Sequence, residues 1–179
     1  MLIDKDFKEI ISFQVLSLIG GLFAGTLLSI YTDKLLLIPG MLIILPGFME
    51  MRGNISGSMA ARLTSGMFIG VVKPNNLNVK IVKGNVFASF TLAIIVSLVL
   101  GLVAFVFNYI MLGIVVPKII LIPLIAGIFA NGIEIILTLY FTFYTFNHGY
   151  NPDNIMGSFV TTTGDVTSIL ALLFTVMII

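Results

Sequence analysis

Cysteine is absent, so the chain has no disulfide, no thiolate metal site and no thiol nucleophile. Histidine occurs once, at His148, which excludes a zinc centre built from clustered histidines. Charge is scarce. Asp, Glu, Lys and Arg make up 9% of the residues, against about 25% in a soluble domain. The net charge of +1 gives no reason to expect a nucleic-acid partner. What is abundant is hydrocarbon, at 59% of 179 residues. A soluble fold of this size cannot hide that much apolar surface, so a lipid bilayer must serve as solvent. The opening MLIDKDFKE is too acidic, and too long before the apolar run, for a cleaved signal peptide. Residues 1–9 are expected to be a short solvated tail. The whole chain, 1–179, then reads as a single transmembrane domain with no soluble regulatory domain.

A bilayer core of roughly 30 Å needs about 20 helical residues. Five stretches meet this: Ile10 to Tyr31, Leu36 into the GMFIGVV run, Val86 to Ile110, Ile119 to Thr145, and Ile155 to Ile179. The fold class is therefore an all-α integral membrane protein of five spans. Helix 1 is expected to stop at Asp33-Lys34. Helix 2 is too long for one perpendicular crossing, and Pro39 and Pro46 can kink it. It is read as one long, bent span whose inner end projects from the membrane. Arg62, Lys73, Lys80 and Lys83 lie between helices 2 and 3 with no acid among them. Basic residues favour the cytoplasmic side, which puts that segment and the N-terminus inside and the C-terminus outside; the other loops carry one base each at most, and a cell membrane is the expected location.

The polar residues inside the spans form seams. In helix 5, Ser158, Thr161, Asp165 and Ser168 recur at three- and four-residue steps and share a face. Asp165 is expected about ten residues in, roughly 15 Å deep and near the midplane. Helix 4 carries Asn131, Glu134, Thr138, Thr142 and Thr145. Helix 1 carries a weaker seam of Gln14, Ser17, Gly21, Gly25 and Ser29. In helix 2, Glu50, Asn54 and Ser58 are four apart, and a start near Leu36 puts the first two in the inner half of the bilayer. Helix 3 is nearly seamless, which suits a lipid-facing scaffold. A charge at the bilayer centre costs several kcal/mol. Three acids lie in spans (Glu50, Glu134, Asp165), against one internal base, Arg52. An Arg52–Glu50 bridge is disfavoured because residues two apart on a helix face apart. Protonation, structural pairing or a bound cation each balance the excess of acid.

The donors on offer are carboxylate, amide, hydroxyl and backbone carbonyl. These hard oxygens suit Mg²⁺, Ca²⁺ or Mn²⁺. A Mg²⁺ site takes one or two carboxylates and retains several waters. Asp165 is the expected primary ligand. An Asn and hydroxyls could hold the ion's waters; Thr161 and Ser168 share the Asp165 face, and Glu134 and Glu50 are the other acids within the spans. Gly53, Gly57 and Ala61, four apart, allow close helix approach. Five helices make a thin bundle, and a homodimer would put two copies of Asp165 around one axis. Neither an organic cofactor nor covalent chemistry is expected. An intramembrane hydrolase would need a second buried aspartate or a Ser-Lys or Ser-His dyad. A proton-coupled transporter of a small organic substrate, with the acids as relays, is the alternative, and a purely structural subunit is a third reading.

Two stretches resemble a known family. LPGFMEMRGNISGSMAARLTSGMFIG, residues 45–70, is similar to the second-helix motif of the MgtE divalent cation channels and transporters and of the related eukaryotic solute-carrier magnesium transporters. The matching residues are Pro46, Gly53-Asn54, Ala60, Arg62-Leu63-Thr64 and Gly70. NPDNIMGSFVTTTGDVTSI, residues 151–169, resembles the last-helix motif through Asp153-Asn154, Thr161 and Gly164-Asp165. The resemblance implies a five-helix membrane domain that dimerises around a cation pathway. In it, Asp165 holds hydrated Mg²⁺ at the protomer interface and Asn54 is a pore-side partner. It also implies one departure: bacterial members carry large cytosolic domains that close the pore, and only a short tail precedes helix 1 here. The GDVTS ending is closer to the eukaryotic pattern, which leaves coupled exchange as open as channel-like flow.

Overall fold

A computed structural model describes residues 4–74 and 76–179. Within them the chain forms five α-helices and no strand: α1 Lys5–Leu36, α2 Met41–Phe68, α3 Lys80–Leu112, α4 Lys118–Asn147 and α5 Pro152–Ile178. Parts of two expected segments, residues 1–3 of the tail and Asn75 of the linker after helix 2, lie outside the described residues. The shortest helix has 27 residues. At 1.5 Å per residue that is about 40 Å, more than a hydrocarbon core requires. By length and composition α1, α3, α4 and α5 can cross a membrane. α2 falls short on composition, because Glu50, Arg52, Asn54, Ser56, Ser58 and Arg62 interrupt it. It is tolerated because it is central, packed against α3, α4 and α5, while α1 packs mainly on α5.

The boundaries follow local chemistry. The Asp4 side chain accepts from the Phe7 amide at 2.9 Å and caps α1. Asn151 caps α5 through the Asp153 amide, with Pro152 at the first helical position. α1 does not stop at Asp33-Lys34. Nothing there breaks the ladder, and Lys34 falls in the last turn, where a cation suits the helix dipole. The turn comes instead at Pro39-Gly40, with Gly40 at φ 85°, a left-handed conformation that favours glycine. Pro39 therefore lies between helices. Pro46 sits inside α2, whose helical assignment continues through it. Starting α2 at Met41 moves Glu50 and Asn54 to roughly 14 and 20 Å along a helix of about 42 Å. They lie in the first half of the helix, nearer its middle than its start.

The core is divided along the bundle. Met41, Ile44, Leu45 and Phe48 of α2 pack with Ile119 and Ile122 of α4 and Ile169 and Leu172 of α5 towards one end. Met59, Leu63 and Met67 pack with Ile135 and Phe143 towards the other. Arg52 falls between. α3 carries a seam after all. Ser89, Ala93, Ser97, Gly101, Ala104 and Asn108 are its buried stripe, while Leu92, Ile95, Val99, Leu102 and Val106 are exposed. The stripe is small rather than polar, so it hides in an apolar run. A Cβ at Gly101 would overlap the Ile120 backbone, which is how closely α3 and α4 approach. The contact line of α1 also differs from the expected seam. Ser17, Gly20 and Ala24 face inward, and Gln14, Gly25 and Ser29 are exposed.

Candidate cation site

Arg52 has a side chain only 1% exposed, at mid-length on the central helix. A lone guanidinium there must find acceptors. Its Nε donates to Ser168 Oγ at 2.7 Å, its Nη1 to the Val160 carbonyl at 3.1 Å, and its Nη2 to Asp165 Oδ1 at 3.3 Å. All three acceptors are on α5. A second carboxylate, Glu134 of α4, lies 3.8 Å from Nη1 through Oε1 and is fully buried. Thr163 Oγ1 donates to the same Oε1 at 2.8 Å, and Oε2 has no hydrogen-bond partner. Gly164 makes room for this arrangement. A Cβ at 164 would occupy the space of the Arg52 guanidinium.

Asp165 is the boundary residue. Its side chain is 21% exposed, one side meeting Arg52 and the other reaching a cleft of about 310 Å³ between α2 and α5. Glu50, Gly53, Asn54 and Gly57 line the α2 wall, and Gly157, Thr161 and Asp165 the α5 wall. Asn54 Nδ2 donates to Glu50 Oε1 at 3.1 Å. Four of the sequence-derived candidates (Asp165, Asn54, Thr161, Glu50) thus meet in one cleft. Ser168 and Glu134 do not line it; both lie on the far side of Arg52. Ser168 and Thr161 share a face of α5, but that face is covered at the level of Ser168 and open at Thr161. No group of three or more His, Cys, Asp or Glu side chains close enough to hold a metal occurs among the described residues. A cation in this cleft would meet one or two carboxylates and neutral oxygens within one chain, as a hydrated magnesium ion requires.

Sequence reasoning found the acids and named Arg52 as the one internal base, but did not pair it with Asp165 and Glu134. The signal was available: Arg52 has no acid three or four residues away on its own helix, and a glycine precedes Asp165. Arg62, by contrast, is exposed and reaches α3, donating to Asn85 Oδ1 at 2.7 Å and Ser89 Oγ at 3.3 Å. His148 is outside the site, its Nδ1 2.8 Å from the Tyr144 carbonyl at the end of α4.

No curated protein and no solved structure gives a significant match to the chain. A family model does. MgtE, described as a divalent cation transporter, matches residues 45–175, most of the chain and all of the cleft. Its match begins inside α2 and ends inside α5, leaving α1 outside. With the apolar helices, the match makes this a membrane protein, and the chain belongs to the MgtE family of divalent cation transporters.

Proposed function

We propose that the protein moves Mg²⁺ across a cell membrane through the α2–α5 cleft, with the hydrated ion held by Asp165. The observation that carries this reading is the partly exposed Asp165 carboxylate sharing one cleft of about 310 Å³ with Glu50 and Asn54. Six waters at about 30 Å³ each need about 180 Å³, so a hydrated ion fits. Asn54, Glu50 and Thr161 offer oxygens to its water shell, and Ser168 and Glu134 act from behind Arg52. Ca²⁺ and Mn²⁺ use the same donors and are the competing ions.

The cleft is also the reason to propose a homodimer. Glu50, Asn54 and Thr161 are exposed near the middle of their helices. Lipid cannot satisfy such groups. A second copy would cover them, and Gly53, Gly57 and Gly157 leave open space where a Cβ would stand, room for a close helix from the partner. Pro46, which has no amide hydrogen, gives α2 a place to bend at the end of the cleft. Six of the nine basic residues (Lys5, Lys8, Arg62, Lys73, Lys80, Lys83) belong to the end shared by the α1 N-terminus and the α2–α3 linker. By the basic-residue bias that end is cytoplasmic, with the C-terminus outside.

The test is Mg²⁺ flux into liposomes holding purified protein, read by an enclosed magnesium dye, for wild type beside Asp165→Asn. The expected result is flux in the wild type and none in the variant, with both proteins equally folded. Equal flux in both would remove Asp165 from the pathway. No Mg²⁺ flux in either, with a pH-driven flux of an organic solute instead, would favour the proton-coupled alternative.

A further inference from the structure

Arg52 is held in a way that a simple ion pair does not require. Two of its three hydrogen bonds go to neutral acceptors on α5, Ser168 Oγ and the Val160 carbonyl. These fix the guanidinium beside Asp165 whatever the charge on the carboxylate. Gly164, whose missing side chain leaves the space the guanidinium fills, adds a steric reason for that position. The bond to Asp165 is the longest of the three, at 3.3 Å, and it reaches only Oδ1. Glu134 is underused: its Oε1 is 3.8 Å from Nη1, beyond hydrogen-bond reach, and its Oε2 is unpartnered. One guanidinium thus stands between two carboxylates, tightly bonded to neither and pinned by neutral groups. Arg52 also lines the cleft with Asp165.

We propose that Arg52 is a resident cation that competes with the transported ion for Asp165, with Glu134 as the second carboxylate that carries the guanidinium's charge while the ion is bound. This rests on the reading that Asp165 binds the cargo. A divalent ion arriving at Asp165 meets the field of a fixed positive charge a few ångströms behind it. That field weakens binding and speeds release, which transport needs as much as capture. Glu134 offsets part of it. Formally the trio carries one net negative charge, enough to admit a cation without trapping it. Arg52 is a positioning residue in this scheme, setting affinity through Asp165.

The experiment measures the half-saturating Mg²⁺ concentration and the maximal rate in the same liposomes, for wild type, Glu134→Gln, Arg52→Gln/Glu134→Gln and Asp165→Asn. Glu134→Gln keeps the shape and an acceptor for Thr163 but leaves the guanidinium facing Asp165 alone. Its half-saturating concentration should rise about tenfold or more. The double variant removes both fully buried charges together and leaves Asp165, which reaches the open cleft, as the one remaining acid of the trio. It should bind Mg²⁺ at least tenfold more tightly than Glu134→Gln, at roughly the scale expected of one nearby unit charge, with a lower maximal rate. An unchanged half-saturating concentration in Glu134→Gln overturns the proposal by itself. So do equal values in Glu134→Gln and the double variant, which would make Arg52 a purely structural cross-link. Flux retained in Asp165→Asn overturns the reading beneath it, a result that the other variants do not mimic.

Discussion

Replacing Gly164 by alanine should destabilise the protein, against the ordinary rule for a glycine inside a helix. An added methyl there normally stabilises by about 0.5–1 kcal/mol relative to glycine. At 164 the new Cβ would stand where the Arg52 guanidinium lies. The guanidinium cannot withdraw freely, since it is 1% exposed and bonded to Ser168, Val160 and Asp165. Moving it weakens three charge-assisted hydrogen bonds, each contributing about 1.5–3 kcal/mol. Not all are lost together, and breaking a buried pair costs about 3–5 kcal/mol. That range, less the helix-propensity gain, is the expected loss. The assay is the midpoint of unfolding when sodium dodecyl sulfate is titrated into protein in mild detergent. Gly21→Ala is the control, because a Cβ there meets nothing within 4 Å, and it should be neutral or slightly stabilising. The same substitution at 164 in the Arg52→Gln/Glu134→Gln background should cost far less, since glutamine ends short of the guanidinium carbon, and contacting residues couple in such cycles. A Gly164→Ala protein as stable as wild type would refute the placement of Arg52.

Three further outcomes follow from the same geometry. Gly101→Ala drives a Cβ into the Ile120 backbone and should cost about 1–3 kcal/mol in the detergent unfolding assay, as overpacking does. Glu9→Ala removes the acceptor of the Asn151 amide and of Asn154 Nδ2, tying α1 to the start of α5. It should lower stability by about 1–3 kcal/mol, with earlier proteolysis of the α4–α5 turn as a second readout. Glu50→Gln lies on an exposed wall of the cleft and can keep its bond to Asn54. Its stability should stay within about 0.5 kcal/mol of wild type, while the half-saturating Mg²⁺ concentration rises severalfold in liposome flux.

Much of the molecule was legible before any coordinates. Hydrocarbon content and the spacing of polar residues sufficed for an all-α membrane fold of five helices, because a bilayer admits few other solutions. The recurrence of Thr161, Asp165, Glu50 and Asn54 at helical spacing put them on defined faces, and four candidates do share a cleft. Helix ends were less legible. Asp33-Lys34 looked like a stop but continues α1, since charged residues near a helix end are compatible with the ladder, whereas Pro39 and a left-handed Gly40 are not. The α3 stripe was hidden because serine, alanine and glycine look unremarkable in an apolar run, and only close approach to α4 reveals their use.

The pairing of charges belonged to the tertiary structure alone. Sequence spacing tells which side chains share a face of one helix; it does not say which helix that face meets. Arg52 and Asp165 are 113 residues apart, and Arg52 and Glu134 sit on helices that are not adjacent in sequence. Three helices must pack before one guanidinium can stand between two acids, and a glycine at 164 must leave it the space. The sequence by itself determined that the acids in the spans needed an answer, because a buried charge cannot be left alone. Only the packing of α2, α4 and α5 decided that Asp165 would have Arg52 on one side and an open cleft on the other.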